Sequence, residues 1–223
     1  MVEELPKQEL NNSLGNILDK PTEIKMYNRD CKKIAKFAMK NPDNFFWLIV
    51  FVLCTIQASL QSTVPQIQDI KKNGRRAKFF NWEMKRIGHD YAYDNRHNLF
   101  LTVKACVKAN DAVGAIDALT SVNGLGIVKA AFVVQMCGLD VACLDSHNLT
   151  RLGLSQSHFK LSKTVSHATK RKKIAEYVEY TRETGGAEYW WNTWCDYVAG
   201  NRANRSLNTG DAVSKFHVTA VMA

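Results

Sequence analysis

The chain has 223 residues, 46% of them hydrophobic, which is enough for one domain or two small lobes sharing a core. Its formal charge of +9 favours a polyanionic partner, either nucleic acid or an acidic membrane surface. The N-terminal "MVEELPKQELNN" is acidic and polar, so no signal peptide is expected, and the most apolar run, "FFWLIVFVLC" (residues 45–54), is too short to span a bilayer.

Helical spacing dominates. "DCKKIAKFAMKN" (30–41) puts Ile34, Phe37 and Ala38 on one face with lysines opposite. Asn41, Pro42 and Asp43 form a helix-entry signal ahead of the apolar run, which predicts a buried core helix. Pro65 opens "PQIQDIKKNG", and Gly74 can close it. Residues 97–109 and 111–120 show further helical spacing. "KKIAEYVEYTRETGG" (172–186) predicts a helix ended by Gly185 and Gly186, and "AEYWWNTWCDYVAG" (187–200) one ended by Gly200. Residues 201–215 read as a polar loop or loosely held tail, and "FHVTAVM" (216–222) is the one stretch with strand-like alternation. Two basic stretches, residues 71–78 and 170–173, are either contacts to a polyanion or solvated helix ends.

The six cysteines, Cys31, Cys54, Cys106, Cys137, Cys143 and Cys195, include no C-x-x-C pair. They read as reduced, buried thiols of a cytosolic protein. Cys137 and Cys143 with His147 lack the second pair that zinc needs, and the last third of the chain has too few thiols for an iron–sulfur cluster. No metal and no cofactor are expected.

The segment from Val122 to Asn148, "VNGLGIVKAAFVVQMCGLDVACLDSHN", carries the chemistry. Gly124-Leu125-Gly126 lacks the third glycine of a dinucleotide fingerprint, follows a helical stretch where a strand is required, and does not fit a P-loop. As helix–turn–helix it fits well. "DAVGAIDALTS" is one helix, "VNGLG" a tight turn, and "IVKAAFVVQMCG" the second helix. Such a turn presents backbone N–H groups at a helix start, a phosphate site independent of base sequence.

With these residues the stretch resembles the helix–hairpin–helix DNA glycosylase superfamily, the group that includes endonuclease III and the adenine and 8-oxoguanine glycosylases. There the hairpin carries Gly-hydrophobic-Gly, and about twenty residues later a catalytic aspartate opens a helix. Asp145 in "CLDSHN" stands at that place. "VLCTIQASLQSTVPQ" is similar to the family's polar turn after an apolar helix, with Gln57 at the position of the duplex-probing residue. The resemblance covers roughly residues 30–200. It implies an all-α, two-lobed fold with the active cleft between lobes: residues 1–35 and 140–223 in a terminal lobe holding the aspartate, residues 36–139 in a lobe holding the hairpin. It also implies double-stranded DNA as partner, a monomer, no membrane, and a cytoplasmic or nucleoid-associated location. The chain departs from the family in two places. The nucleophilic lysine of bifunctional members falls at Val128, with Lys129 one residue on, about 100° around a helix, so Lys129 either points out of the pocket or the hairpin holds one extra residue. The four-cysteine cluster is absent.

Breaking a base–sugar bond develops positive charge on the sugar, which a fixed carboxylate stabilises while it orients or activates water. Asp145 is the expected group. It also suits a plain helix N-cap, and the two roles are compatible. Lys129 is either a Schiff-base nucleophile or a phosphate contact. Gln57 is either the wedge that flips the base or a surface glutamine. Trp190 and Trp194, four apart on one helix face, either stack the flipped base or belong to the core. His147 contacts phosphate or pocket, or makes a structural hydrogen bond. Two rivals stand beside the glycosylase: a non-catalytic DNA-binding protein, and a glycosylase-fold enzyme that modifies a flipped pyrimidine in viral DNA without releasing it.

Overall fold

The structure, a computed structural model, describes residues 26–162, 164–199 and 207–223. Helices are the regular structure of these residues, with no strand among them. In chain order the α-helices are α1 (Met26–Ala38), α2 (Pro42–Cys54), α3 (Thr63–Asn73), α4 (Glu83–Asp94), α5 (Arg96–Lys108), α6 (Ala112–Leu119), α7 (Ile127–Met136), α8 (Ser146–Arg151), α9 (His167–Glu183), α10 (Gly186–Ala199) and α11 (Gly210–Met222). No helix among the described residues is long and apolar enough to cross a membrane.

Helix α2 organises the packing. Asn41 caps it by accepting the Asn44 N–H at 2.8 Å, and Pro42 occupies its first turn. From Phe45 to Cys54 every residue except Trp47 is buried. A helix apolar all round must be covered all round, and α2 packs against α1, α3, α4, α5, α7 and α11. Helices α1, α10 and α11 pack on one another, while α6 joins α5, α7 and α9.

A polar chain ties the first group together. Buried Asp30 on α1 accepts from Arg29 and, at 2.6 Å, from the Ser214 hydroxyl on α11, which accepts from Trp191 Nε1 of α10 at 2.9 Å. Arg29 and Ser214 hold the Asp30 carboxyl below the usual range despite its burial. The second group is tied by Asp117 on α6, which takes Lys170 at 2.7 Å, His167 at 3.1 Å and Arg171 at 3.7 Å from the start of α9. Half of the basic stretch 170–173 therefore serves helix docking. In the other basic stretch, Lys71 donates to the carbonyl of Ala223 at 2.7 Å and Arg75 pairs with Asp90 at 2.5 Å.

Several expectations from the sequence need correction. The stretch 216–222 is no strand. It lies in α11, whose buried residues include Val213, His217, Ala220 and Val221, a spacing of four and three that belongs to a helix. The tail expected over 201–215 turns helical at Gly210, while residues 201–206, Gly200 and residues 1–25 lie outside the described residues. Helix α4 escaped the sequence reading because its buried face is Lys85, Gly88 and Ala92, which form no apolar stripe. Gly74, at φ +53°, does close α3, and Gly185 and Gly186, at φ +127° and +71°, follow α9.

Helices α6 and α7 with the turn 120–126 form a compact hairpin. Gly124 has φ +92°, Leu125 is buried, and Gly126 is exposed. Helix α4 lies so close to this turn that a β-carbon on Gly88 would sit 2.1 Å from the Asn123 carbonyl oxygen. Gly88→Ala is therefore expected to destabilise the protein by about 1–3 kcal/mol, measured as a lower urea midpoint at unchanged slope. An unchanged midpoint would show that α4 and the hairpin turn are not locked together.

Candidate active site

A cleft of about 570 Å³ opens where α7, the loop after α2, the segment before α8, and helices α10 and α11 meet. Its walls bring together Asp145, Lys129, Gln57, His147, Trp190 and Trp194, residues spread over more than 130 positions of sequence. Gly124, Leu125 and Gly126 lie outside it, in the hairpin turn that launches α7.

Asp145 is held from three sides. It is the N-cap of α8, and its Oδ1 accepts the backbone N–H groups of His147 and Asn148, each at 3.1 Å. Its Oδ2 accepts Trp194 Nε1 at 2.8 Å. The cap is worth about 1 kcal/mol, and it fixes the side-chain torsions. The approach to Asp145 is fixed as well. Buried Tyr177 of α9 donates its hydroxyl to the Ala142 carbonyl at 2.7 Å and accepts the Leu144 N–H at 2.9 Å. Gln135, buried on α7, accepts the Cys143 N–H at 3.1 Å and donates to the Ala187 carbonyl at 2.9 Å. One glutamine thus joins the hairpin helix to the aspartate segment and to the start of α10.

Lys129 is half-buried in the cleft wall. Its Nζ donates to Thr55 Oγ1 at 3.1 Å and lies 5.7 Å from the Phe132 ring. Thr55 spends its own proton on the Val52 carbonyl at 2.7 Å, which leaves its lone pairs to the lysine. Among the described residues no carboxylate lies within 4 Å of Nζ. Val128 also lines the cleft, yet Lys129 is the one that brings a charge there. The one-residue offset seen in the sequence therefore does not turn the lysine away from the pocket.

The remaining expected residues differ in role. Gln57 is exposed at the rim, with a left-handed backbone of φ +49°, a conformation unusual for a residue with a β-carbon. His147 is exposed, its ring 5.5 Å from that of Tyr197. Trp190 is 3% exposed and its indole N–H is used by Thr184 Oγ1 at 3.1 Å, so it forms the wall of the core as much as of the cleft. Trp194 is half-buried, and its indole N–H orients the Asp145 carboxylate. Cys143 also lines the cleft, with its thiol pushed up to about 12 by burial, so it supplies no thiolate.

His217 was missed by sequence reading. It sits in the stretch read as a strand, and no motif marks it. It is wholly buried in the wall of the cleft, packed among Phe51, Phe132, Trp191 and Trp194 at centroid distances of 4.9–5.9 Å. Burial pushes its imidazole down to about 4.

Two outcomes follow. Trp194→Phe keeps an aromatic ring and removes the bond to Oδ2, so any activity that depends on Asp145 should fall about tenfold or more, with a loss of stability near 1 kcal/mol. Equal activity in the variant would show that the bond does not position the carboxylate. The second outcome concerns acid. The unfolded chain protonates His217 near pH 6.5 and the folded protein only near 4, so the unfolded state binds the extra proton between these values. Stability is then insensitive to this group above pH 6.5 and falls as the pH drops toward 4, by about 2–3 kcal/mol at pH 4.5. Urea midpoints at pH 7.5 and 4.5 should differ by more in the wild type than in His217→Phe.

No protein-family model matches the sequence, and neither any curated protein nor any solved structure matches the chain.

Proposed function

We propose that the protein is a DNA glycosylase with a two-lobed helix–hairpin–helix arrangement, which releases a damaged or modified base from a flipped nucleotide in double-stranded DNA. The observation that carries this is the meeting of Asp145 and Lys129 in one cleft, with the Gly-Leu-Gly hairpin at the head of the helix that bears the lysine. The net charge of +9 agrees with a phosphate-backbone partner.

The chemistry follows from the bonds already in place. As the C1′–N bond breaks, its electron pair leaves with the base and positive charge gathers on the sugar. Asp145 enters this step with its carboxylate fixed by three N–H donors, so little reorganisation is needed as the charge develops. Water then adds its oxygen to C1′, and its proton leaves toward the departing base or solvent. Lys129, held by Thr55, either pairs as a cation with the flanking phosphate or, after giving up a proton to solvent, attacks C1′ in place of water, which adds a lyase step through a Schiff base. Gln57, at the rim, fills the gap left by the extruded nucleotide. The helix α7 start offers backbone N–H groups uncapped by any side chain, and these take a phosphate.

The test is a panel of end-labelled duplexes, each with one altered base, read with and without alkali and with borohydride. Asp145→Asn keeps an oxygen for the cap, removes the charge, and gives up the acceptor for Trp194 Nε1. We expect it to fold normally and to lose at least a hundredfold in abasic-site formation. Full activity in that variant would overturn the assignment of Asp145. An adduct trapped by borohydride in the wild type and lost in Lys129→Ala would mark the lysine as nucleophile, whereas alkali-dependent cleavage without trapping would mark hydrolysis by water. Binding without base release, or a change in base mass without an abasic site, would move the protein to the binding or base-modifying class.

Gly126→Ala gives a separate readout. A β-carbon there meets nothing within 4 Å, and φ is −70°, so stability should stay within about 0.5 kcal/mol. Duplex affinity at about 100 mM salt should fall severalfold, because the methyl group stands where the phosphate approaches. Unchanged affinity would remove the hairpin from the DNA interface.

A further inference from the structure

The cleft wall holds a buried nitrogen with no partner among the described residues. Nδ1 of His217 lies 2.8 Å from the Val213 carbonyl, an atom that can only accept, so Nδ1 carries the proton. The imidazole is neutral at working pH, because burial and the nearby Lys129 charge both oppose protonation. Nε2 is therefore a bare lone pair. It is buried and unbonded. Leaving such an acceptor unsatisfied is costly, and natural cores rarely do so without a use. Other buried polar groups of the cleft are spoken for: both ends of the Gln135 amide are engaged, and the indole N–H groups of Trp190, Trp191 and Trp194 are all donated within the protein. The aromatic surroundings of His217 suit a flat ring, and its lone pair suits a donor on that ring's edge.

We infer that His217 is the specificity-determining residue of the cleft: its Nε2 accepts a hydrogen bond from a ring N–H or exocyclic amino group of the planar heterocycle bound there. This rests on the cleft being a base pocket, as proposed above; Nε2 has no free surface in this structure, so the ring reaches it as the side chains over it shift. The occupant is then a nucleobase or altered nucleobase that presents a donor to the pocket floor. A base whose matching position is methylated or carries only a carbonyl oxygen is rejected, because the lone pair would face carbon or another lone pair.

The experiment uses the full chain and free heterocycles, so that it does not depend on catalysis. Adenine, guanine, hypoxanthine, cytosine and uracil, each beside its N-methylated counterpart, are titrated against tryptophan fluorescence. In parallel, the 15N resonance of His217 Nε2 is followed in the wild type. At least one donor-bearing ring should bind, its methylated counterpart about tenfold or more weaker, and the Nε2 resonance should shift on binding. His217→Phe keeps an aromatic ring and removes the acceptor. It should bind both rings of the pair alike, and a thermal melt should show it folded. Discrimination that persists in His217→Phe, an Nε2 resonance that stays put at saturation, or no binding of any ring would each overturn the inference. Abasic-site formation in the duplex panel separates the two ideas. Ring discrimination through His217 without base release would sink the glycosylase reading alone. Base release with no change in ring discrimination in His217→Phe would sink only the specificity role of His217.

Discussion

The burial of α2 is the constraint on which the architecture turns. A thirteen-residue helix with almost no polar surface cannot lie at the edge of a domain, because each exposed face would leave apolar area in water at about 25 cal/mol per Å². It must run through the middle, with other helices on every side. The two packed groups, α1 with α10 and α11, and α6 with α5, α7 and α9, meet along it. The cleft is a by-product of that arrangement. It opens at the C-terminal end of α2, where the chain leaves the core at Thr55.

Local rules made a good part of this legible in the sequence. The α2 start, the glycine ends of α3 and α9, and the turn between α6 and α7 rest on neighbours a few residues apart, and these interactions are written in short strings. Asp145 as a cap belongs to the same class. What was not legible comes from contacts between distant segments. Helix α4 hid because its inward face is a glycine, an alanine and the stem of a lysine. The "FHVTAVM" alternation was misleading because Phe216 and Val218 are only partly covered while His217 is the buried residue. Nothing near His217 in sequence announces that four aromatic rings from α2, α7 and α10 will enclose it.

The tryptophans illustrate the same limit from the other direction. "YWWNTWC" invites a stacking role for its rings, but their indole nitrogens have separate tasks: one on Thr184, one on Ser214, one on Asp145. The third of these links the packing of the terminal helices to the carboxylate in the cleft. Any shift of α10 along its axis reaches Asp145 through a single 2.8 Å bond, and Gln135 transmits shifts of α7 to the residue two positions before it.

Tyr177 does for residues 142–144 what a neighbouring strand does elsewhere. Its hydroxyl takes one backbone N–H and serves one backbone carbonyl of a segment that lies outside any helix and, among the described residues, has no strand beside it. A real strand partner would offer a ladder of equivalent groups, and a segment paired to a ladder can slip by two residues and still be satisfied. A phenol offers one donor and one acceptor, so the segment has a single register. The acid at its end is placed by a bond that has no second-best alignment.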